Sequence, residues 1–379
     1  MKIAHISDLH IGRTLNFVSM LDDQRHILLN SILPILKENK VDVVLLSGDI
    51  FDNFNPSYEA IRLYDDFLTE VNKANIKIIA ISGNHDSSTR IQDHKELLKE
   101  SGYYVSGFYE GKIDKITLFD EFGPVNFYLL PFVTPQIVSK YYPKLMRISD
   151  DYNKAFRVIF DHEVIDEKER NVILSHQFVV GASRDPSDTK PLLGVGLSDA
   201  VSLNYFKIFD YAALGHIHKT MSFNDGHIVY PGSILPYAEG ESNDRFISIV
   251  DLKNKGEFSQ KFIKLSPLRK LLVIKGTYSE IMSGPDDKEN FIVVVLTDSI
   301  SSPNLSSDFF SKFPNLLNIR RMVNQTDHND LSNNNNYEPT KTPLDVIADF
   351  YTLRTGKKLT NDEIEIINEA METALKEIN

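Results

Sequence analysis

The sequence contains no cysteine in its 379 residues. This absence excludes disulfide bonds, thiolate zinc sites and cysteine nucleophiles, so a metal ion would have to be held by His, Asp, Glu or Asn. No apolar run approaches the length that spans a bilayer, and the opening residues turn polar too soon for the apolar region of a signal peptide. We therefore expect a cytoplasmic protein with no membrane partner.

Positive charge is also scarce, because 41 Lys and Arg residues face 53 Asp and Glu residues and leave a formal net charge of −12. Such a chain cannot hold nucleic acid by net charge alone, since counterion release from phosphates requires clustered Lys and Arg. Carboxylates that bind divalent cations would be partly neutralised, and a partner subunit could supply a basic groove.

The composition is that of a folded protein, with 42% hydrophobic and 25% charged residues. Up to about residue 250, continuously apolar runs alternate with helical patterns, which predicts an α/β protein with a layered sheet. Polar residues follow each run, and in α/β sheets the chemistry lies at the carboxyl ends of the strands. We therefore expect five strand ends to meet at one edge of a sheet. The five predicted strands are 3–7, 41–47, 76–82, 172–175 and 211–215.

The length predicts two or three domains, and the pattern changes after about residue 255. A small α/β unit follows, without catalytic residue types in suggestive spacing. It is predicted to contain strands at 271–275, 291–296 and 316–323 and helices around Tyr278 and Phe309. The predicted ranges are 1–254 for the first domain, 255–323 for the small domain, 324–341 for a flexible linker and 342–379 for C-terminal helices.

Two helix-start signals mark the C-terminal region. Thr342 precedes Pro343 as an N-cap, and Thr360 with Glu363 predicts a capping box. The last helix carries an apolar stripe with acidic residues opposite. This stripe packs either on the same chain or on a partner helix, and the sequence leaves both open.

Polar motifs follow the five apolar strands. Each contains Asp, Asn or His, which bind divalent metals through oxygen or nitrogen. The motifs are Asp8-Leu9-His10, Gly48-Asp49-Ile50-Phe51-Asp52, Gly83-Asn84-His85-Asp86, His176 and Gly215-His216-Ile217-His218. In this order, each after an apolar strand, they resemble the signature of the calcineurin-like metallophosphoesterases. This family resemblance implies a layered α/β/α β-sandwich.

Hydrolysis of a phosphodiester near neutral pH requires an activated water and charge balance on the phosphoryl oxygens, which two divalent ions about 3.5 to 4 Å apart provide. The resemblance implies that Asp49 bridges the two ions. It implies that one ion is held by Asp8, His10, Asp49 and His218 and the other by Asp49, Asn84, His176 and His216. An all nitrogen and oxygen ligand set suits manganese, iron, zinc or magnesium, with the imidazoles disfavouring magnesium, and the resemblance implies manganese as the working ion.

By the same resemblance, His85 faces the phosphate and either stabilises the transition state or protonates the leaving oxygen. Asp52 is predicted to hydrogen-bond His85 and hold its ring, with a turn cap as the alternative. Asp86 is expected to cap the turn or helix that follows it. Three glycines match positions where the backbone turns sharply or approaches another group closely: Gly48, Gly83 and Gly215.

Several stretches are similar to the SbcD-type nuclease subunits, bacterial counterparts of a double-strand-break repair nuclease. They are 7–12, 49–52 with 56–57, 209–218, 230–233, 265–269 and 343–351, so the resemblance covers nearly the whole chain. Two departures concern the grip on DNA. Residues 234–236 read Ile-Leu-Pro where the family usually has Pro and a basic residue, and Lys219-Thr220 replaces Pro-Gln.

This second resemblance implies a metal-dependent DNA nuclease with exonuclease action on double-stranded ends and endonuclease action on single strands and hairpins, in DNA end processing, repair, recombination and replication. It also implies an SbcC-type coiled-coil ATPase partner, contacted by 343–351, a DNA-capping role for 255–323, and a homodimer within a heterotetramer. The sequence has no Gly-x-x-x-x-Gly-Lys loop, so ATP use would belong to the partner. Two alternatives stay open: a small-molecule or cyclic-nucleotide phosphodiesterase of the same superfamily, and a non-catalytic DNA-end scaffold.

Overall fold

The computed structural model describes residues 1–179, 199–298 and 304–322, together with residues 359, 360, 363, 364 and 367. The chain divides into two compact units, Met1–Arg321 and Met322–Asn379. The predicted linker and most of the predicted C-terminal helices lie outside the described residues. In the second unit, Glu363 accepts from the backbone N–H of Thr360 and donates its own backbone N–H to the Thr360 hydroxyl, which confirms the predicted capping box.

The strands of the first unit are β1 (Lys2–Ile6), β2 (Thr14–Leu15), β3 (Val18–Ser19), β4 (Val43–Ser47), β5 (Lys77–Ile81), β6 (Tyr103–Ser106), β7 (Asp114–Asp120), β8 (Gly123–Leu130), β9 (Arg170–His176), β10 (Tyr211–Gly215), β11 (Met221–Phe223), β12 (Ile228–Tyr230), β13 (Phe246–Leu252), β14 (Phe258–Lys264), β15 (Leu271–Gly276), β16 (Phe291–Leu296) and β17 (Leu316–Arg321). The helices are α1 (Leu21–His26), α2 (Leu33–Glu38), α3 (Tyr58–Lys73), α4 (Ser88–Gln92), α5 (Lys95–Glu100), α6 (Pro135–Tyr141), α7 (Tyr152–Asp161), α8 (Tyr278–Ser283) and α9 (Leu305–Lys312). A π-helical segment, Ile27–Ile32, joins α1 to α2.

Two six-stranded sheets form the centre of this unit, in the orders β14-β13-β1-β4-β5-β6 and β11-β12-β10-β9-β8-β7. Alternate residues of the inner strands, such as Leu45 and Val172, build one shared core between the sheets. The opposite faces pack against helices, α1 to α3 on the first sheet and α6 and α7 on the second. The predicted α/β class and β-sandwich are confirmed, and helices cover the outer face of each sheet.

The expectation of a single sheet edge is wrong, because β1, β4 and β5 lie in the first sheet and β9 and β10 in the second. The carboxyl ends still meet, since the sheets pack face to face. The hydroxyl of Ser47, at the end of β4, donates to the carbonyl of Ala213 in β10 across 2.9 Å. A strand buried on both faces has the same continuously apolar sequence whether a helix or a second sheet covers it, so the sequence could not separate the two arrangements.

A smaller parallel sheet, β15-β16-β17, packs with α8 and α9 around its own core, which includes Ile292 and Phe309. Its strands and helices match the elements predicted for the small domain. Strand β14 lies beyond the predicted boundary at residue 254, yet it pairs with β13 in the first sheet.

Among the described residues, no helix has both the length and the apolar character that crossing a membrane would need.

Candidate metal centre

Four of the predicted ligands occupy unusual backbone positions directly after their strands. Asp8, His10, Asp49 and His216 have φ angles of +52°, +44°, +49° and +97°. Positive φ is uncommon outside glycine and concentrates at functional sites, where the surrounding structure holds it in place. Here the backbone N–H of Asp8 donates to Gly48 across 3.1 Å, and that of His10 donates to Asp49 across 2.9 Å. These bonds join the turns after β1 and β4 into one rigid element.

Two glycines allow the turns to approach each other. Gly48 has φ +87°, and a Cβ atom there would lie 2.4 Å from Nδ1 of His176. A Cβ atom on Gly83 would lie 2.1 Å from a carboxylate oxygen of Asp49. Any larger residue would therefore displace a predicted ligand, which confirms the close approach expected at these positions. Gly215 is equally confined, because its Cβ atom would lie 2.0 Å from the Ser47 carbonyl oxygen.

The first group of predicted ligands gathers around His10. Its Nε2 lies 3.1 Å from Nε2 of His218 and 3.6 Å from Oδ2 of Asp49. Oδ1 of Asp8 lies 4.0 Å from Nε2 of His218. Asp8, His10 and His218 are buried and direct ligand atoms to a common point within 4.8 Å of one another.

The second group gathers around Asn84. Its Oδ1 lies 3.2 Å from Nε2 of His176 and 2.9 Å from Nδ1 of His216. Nε2 of His176 also lies 3.3 Å from Oδ2 of Asp49. The same Asp49 oxygen therefore faces one histidine from each group, which is the position that a bridging carboxylate requires. The structure brings all seven predicted ligands together, while the assignment of each to an ion stays a prediction.

The electrostatics of the two groups fit divalent cations. Burial, with the charge of Asp49 beside it, raises the pKa of Asp8 to about 8. Burial alone would raise the pKa of Asp49, but His176 and His10 hold it well below its usual value. Burial would likewise lower the pKa of His176, but Asp49 and Asp8 raise it to about 9. Buried carboxylates of this kind require positive charge, and an all oxygen and nitrogen donor set fits manganese, iron or zinc.

Neighbouring groups contact the outer nitrogens of two ligand rings. Nδ1 of His176 donates to the Ser47 carbonyl across 2.7 Å, and Nδ1 of His218 lies 3.7 Å from a carboxylate oxygen of Glu241. The hydrogen bond to Ser47 holds the His176 ring with its Nε2 directed into the ligand group, and the Glu241 carboxylate lies at ion-pair distance from the His218 ring. Glu241 is itself buried against Arg245. Sequence reasoning missed Glu241, which lies in a polar loop after β12 where no residue pattern distinguishes it from an exposed glutamate.

His85 differs from the ligand histidines because it is only half-buried. Its Nδ1 donates to the backbone carbonyl of Asp52 across 2.8 Å, so its Nε2 is the nitrogen left to face a substrate. The predicted bond between Asp52 and His85 therefore exists, but the backbone supplies it. The Asp52 carboxylate accepts from Arg13 across 2.8 Å and lies 3.5 Å from Nδ1 of His10.

Asp86 does not cap the helix that follows it, contrary to expectation. Its carboxylate accepts from the backbone N–H groups of Ile50, Phe51 and Gly83, at 3.1, 2.8 and 2.9 Å. Ser87 is the N-cap of α4 instead. Asp86 therefore joins the loop after β4 to the loop after β5, and these two loops carry Asp49, Asn84 and His85.

Comparison with known proteins agrees with this geometry. The model of a family described as calcineurin-like phosphoesterases matches residues 1–220. The SbcD component of nuclease SbcCD from Staphylococcus saprophyticus is 32% identical over 386 aligned positions, covering 100% of this chain and 99% of that protein. Its counterpart from Staphylococcus epidermidis is 30% identical over 369 positions, covering 95% of each. This chain therefore belongs to the calcineurin-like phosphoesterases and, within them, to the SbcD family of SbcCD nuclease components, and it is a metal-dependent nuclease, a phosphodiester hydrolase.

Proposed function

We propose that this chain is the nuclease subunit of a DNA-end-processing complex and hydrolyses DNA phosphodiesters with two manganese ions. The observation that carries the proposal is the position of Asp49, whose Oδ2 lies between His10 and His176, at 3.6 and 3.3 Å. The other Asp49 oxygen accepts from the backbone N–H of His85 across 2.9 Å. The bridging carboxylate and the substrate-facing histidine are thus held in one fixed relation.

A pair of divalent ions, when bound, supplies a nucleophile at neutral pH and balances the charge on the phosphoryl oxygens. Asp8, His10, Asp49 and His218 would hold one ion, and Asp49, Asn84, His176 and His216 the other. The chain itself orients the scissile phosphate beside His85. When the His85 ring carries a proton on each nitrogen, Nδ1–H donates to the Asp52 carbonyl, and Nε2–H donates to the phosphate or transfers its proton to the leaving oxygen.

The partner in this proposal is an SbcC-type coiled-coil ATPase. The relatives are named as components of nuclease SbcCD, and this chain aligns with one of them over its full length. The formal charge of −12 favours an assembly in which another subunit supplies much of the basic surface for DNA. The segment proposed to contact the ATPase, 343–351, lies outside the described residues. A homodimer of this chain and a cytoplasmic location complete the proposal.

The test is cleavage of end-labelled duplex, single-stranded and hairpin DNA by the full chain with manganese, magnesium or zinc, with and without the ATPase subunit and ATP. We expect manganese to support hairpin opening, and the ATPase with ATP to extend cleavage to duplex ends. Asp49→Asn is the matched control, because it preserves the side-chain shape but removes the bridging charge and should abolish cleavage.

Failure of the chain to cut any DNA with manganese, even with the ATPase, would overturn the proposal. Hydrolysis of cyclic nucleotides by a chain inert on DNA would instead support the small-molecule phosphodiesterase. DNA binding without cleavage, unaffected by His85→Gln, would support the scaffold.

A further inference from the structure

A pocket of about 610 Å³ opens beside the metal centre, and Asn84 and His85 form part of its wall. Its remaining surface is largely apolar and includes Phe54, Phe132 and Ile137. Pockets of roughly 300 to 1,000 Å³ with apolar walls and a few polar groups are typical of sites that enclose a small organic group. Because Asn84 is a predicted metal ligand and His85 is the residue predicted to face the phosphate, the pocket adjoins the place where a phosphodiester would bind.

Phe54 is an exposed aromatic ring on a fixed loop. Its side chain is 60% exposed, although it lies between two ordered elements, β4 and α3. The side-chain oxygen of Asn53 accepts from the backbone N–H of Asn55 across 3.1 Å, and Ser57 caps α3 by accepting from Ala60. The backbone on both sides of Phe54 is therefore fixed, and its ring is presented to the pocket without the support of a hydrophobic core.

Phe132 is the second aromatic residue in the pocket wall. Its ring stacks on that of His216, with centroids 6.2 Å apart and planes inclined by 22°. Its backbone N–H donates to Ser82 across 3.0 Å, which fixes it beside the loop that carries Asn84. The Phe132 ring thus packs on His216, a predicted metal ligand, whereas the Phe54 ring is exposed at the pocket wall.

The charge of the pocket indicates its ligand. Among the residues that line it, Asp52 and Asp86 are acidic and neither Lys nor Arg occurs. A phosphate is therefore a poor occupant, whereas a flat, uncharged ring with polar edges is a good one. Every nucleobase has such a face, and aromatic side chains bind bases by stacking with little regard to sequence.

We propose that Phe54, with Phe132, binds the unstacked base of a nucleotide next to the scissile phosphate; this rests on the proposed action on DNA. The base must leave the duplex to reach the pocket, and leaving is least unfavourable for a base that is mismatched or already unpaired. The pocket therefore selects hairpin loops, single strands and frayed ends over fully paired ends.

The experiment combines a protein change with a substrate change. The full chain with manganese is compared with Phe54→Ala on single-stranded oligonucleotides that carry either natural bases or an abasic residue on one side or the other of the cleaved phosphate. We expect Phe54→Ala to reduce cleavage of the natural strand roughly 5- to 150-fold, the range for loss of one base–aromatic stack. One abasic position should produce a similar loss, and combining it with Phe54→Ala should add little, because both changes remove the same contact.

Phe54→Trp should restore cleavage of the natural strand, since it restores a stacking surface. Phe119→Ala is the matched control: Phe119 is 75% exposed and pairs with Pro124 at the start of β8, the opposite end of the sheet from the metal centre. Unfolding midpoints of all variants identify any loss caused by misfolding.

Two results would overturn the inference: cleavage unchanged by Phe54→Ala, or cleavage reduced equally on natural and abasic strands. Failure of the unmodified chain to cut any strand would instead refute the proposed action on DNA, so the two failures are distinguishable.

Discussion

The backbone carbonyl oxygen of Asp52 lies 2.8 Å from Nδ1 of His85 and accepts its hydrogen bond. The His85 ring is therefore oriented independently of the Asp52 side chain. The roles of the two side chains can be separated, because the Asp52 carboxylate contacts His10 and Arg13 and makes no hydrogen bond to the His85 ring.

His85→Gln should reduce DNA cleavage about 10²- to 10⁴-fold, the usual contribution of one positioned acid–base group. The same variant should retain its metals, because His85 is outside both ligand groups. Cleavage rates and metal content after gel filtration together test this. A variant that lost manganese would assign His85 to the metal centre instead.

Asp52→Ala should weaken metal binding and largely preserve cleavage at saturating metal, which is the reverse of the result expected for His85→Gln. The carbonyl that holds His85 remains, but His10 and Arg13 lose their carboxylate partner, and loss of such a contact behind a metal ligand typically weakens metal affinity about 10- to 100-fold. Calorimetric titration with manganese measures this, and cleavage at saturating manganese should recover in large part. Cleavage lost with unchanged affinity would show that the Asp52 carboxylate acts on the reaction directly.

Glu241→Ala should destabilise the protein by about 3 to 5 kcal/mol, because Arg245 would be left as an uncompensated buried charge. Replacing both residues, Glu241→Leu with Arg245→Met, should recover most of that stability while metal affinity stays reduced, since His218 has lost the carboxylate beside its Nδ1. Chemical denaturation and metal titration give the two readouts. Full metal affinity in the double variant would contradict a role for Glu241 in positioning His218.

Asp120 should contribute stability that depends on pH. Burial alone would raise its pKa, but a bidentate pair with Arg170 and the amino group of Met1 hold it well below the usual 3.8. The folded state therefore favours the charged form, so the stabilisation is present above about pH 4 and is lost as pH falls below it. Asp120→Asn should lower the unfolding midpoint at pH 7, and the difference should shrink as the pH falls towards about 3. Glu121→Gln, at an exposed neighbouring residue, is the control. A difference in unfolding midpoint between Asp120→Asn and the unmodified protein that does not change with pH would contradict this account.

The strand pattern predicted that the polar motifs would meet, because each follows a continuously apolar strand and the carboxyl ends of such strands lie together, whereas the choice of ligands within the motifs came from the family resemblance. It could not show that the strands belong to two sheets, since burial on both faces leaves the same sequence pattern in either case. Contacts made by backbone atoms cannot be predicted from residue types either. Any residue at position 52 would have a backbone carbonyl, so the identity of Asp52 does not indicate that its carbonyl accepts from His85. Glu241 was missed because its function depends on the packing of Arg245 and His218, which are distant from one another along the chain.

Each candidate ion position takes donors from both sheets: Asp8, His10, Asp49 and Asn84 follow strands of one, and His176, His216 and His218 end or follow strands of the other. Bound cations would therefore cross-link the two halves of the sandwich. At a free concentration one hundred times the dissociation constant, one bound ion adds about 2.7 kcal/mol to the free energy of unfolding. Chelation should consequently lower the melting temperature and speed amide hydrogen exchange at the ends of β9 and β10, so that a cell short of the bound metal would hold a nuclease that is easier to unfold and degrade.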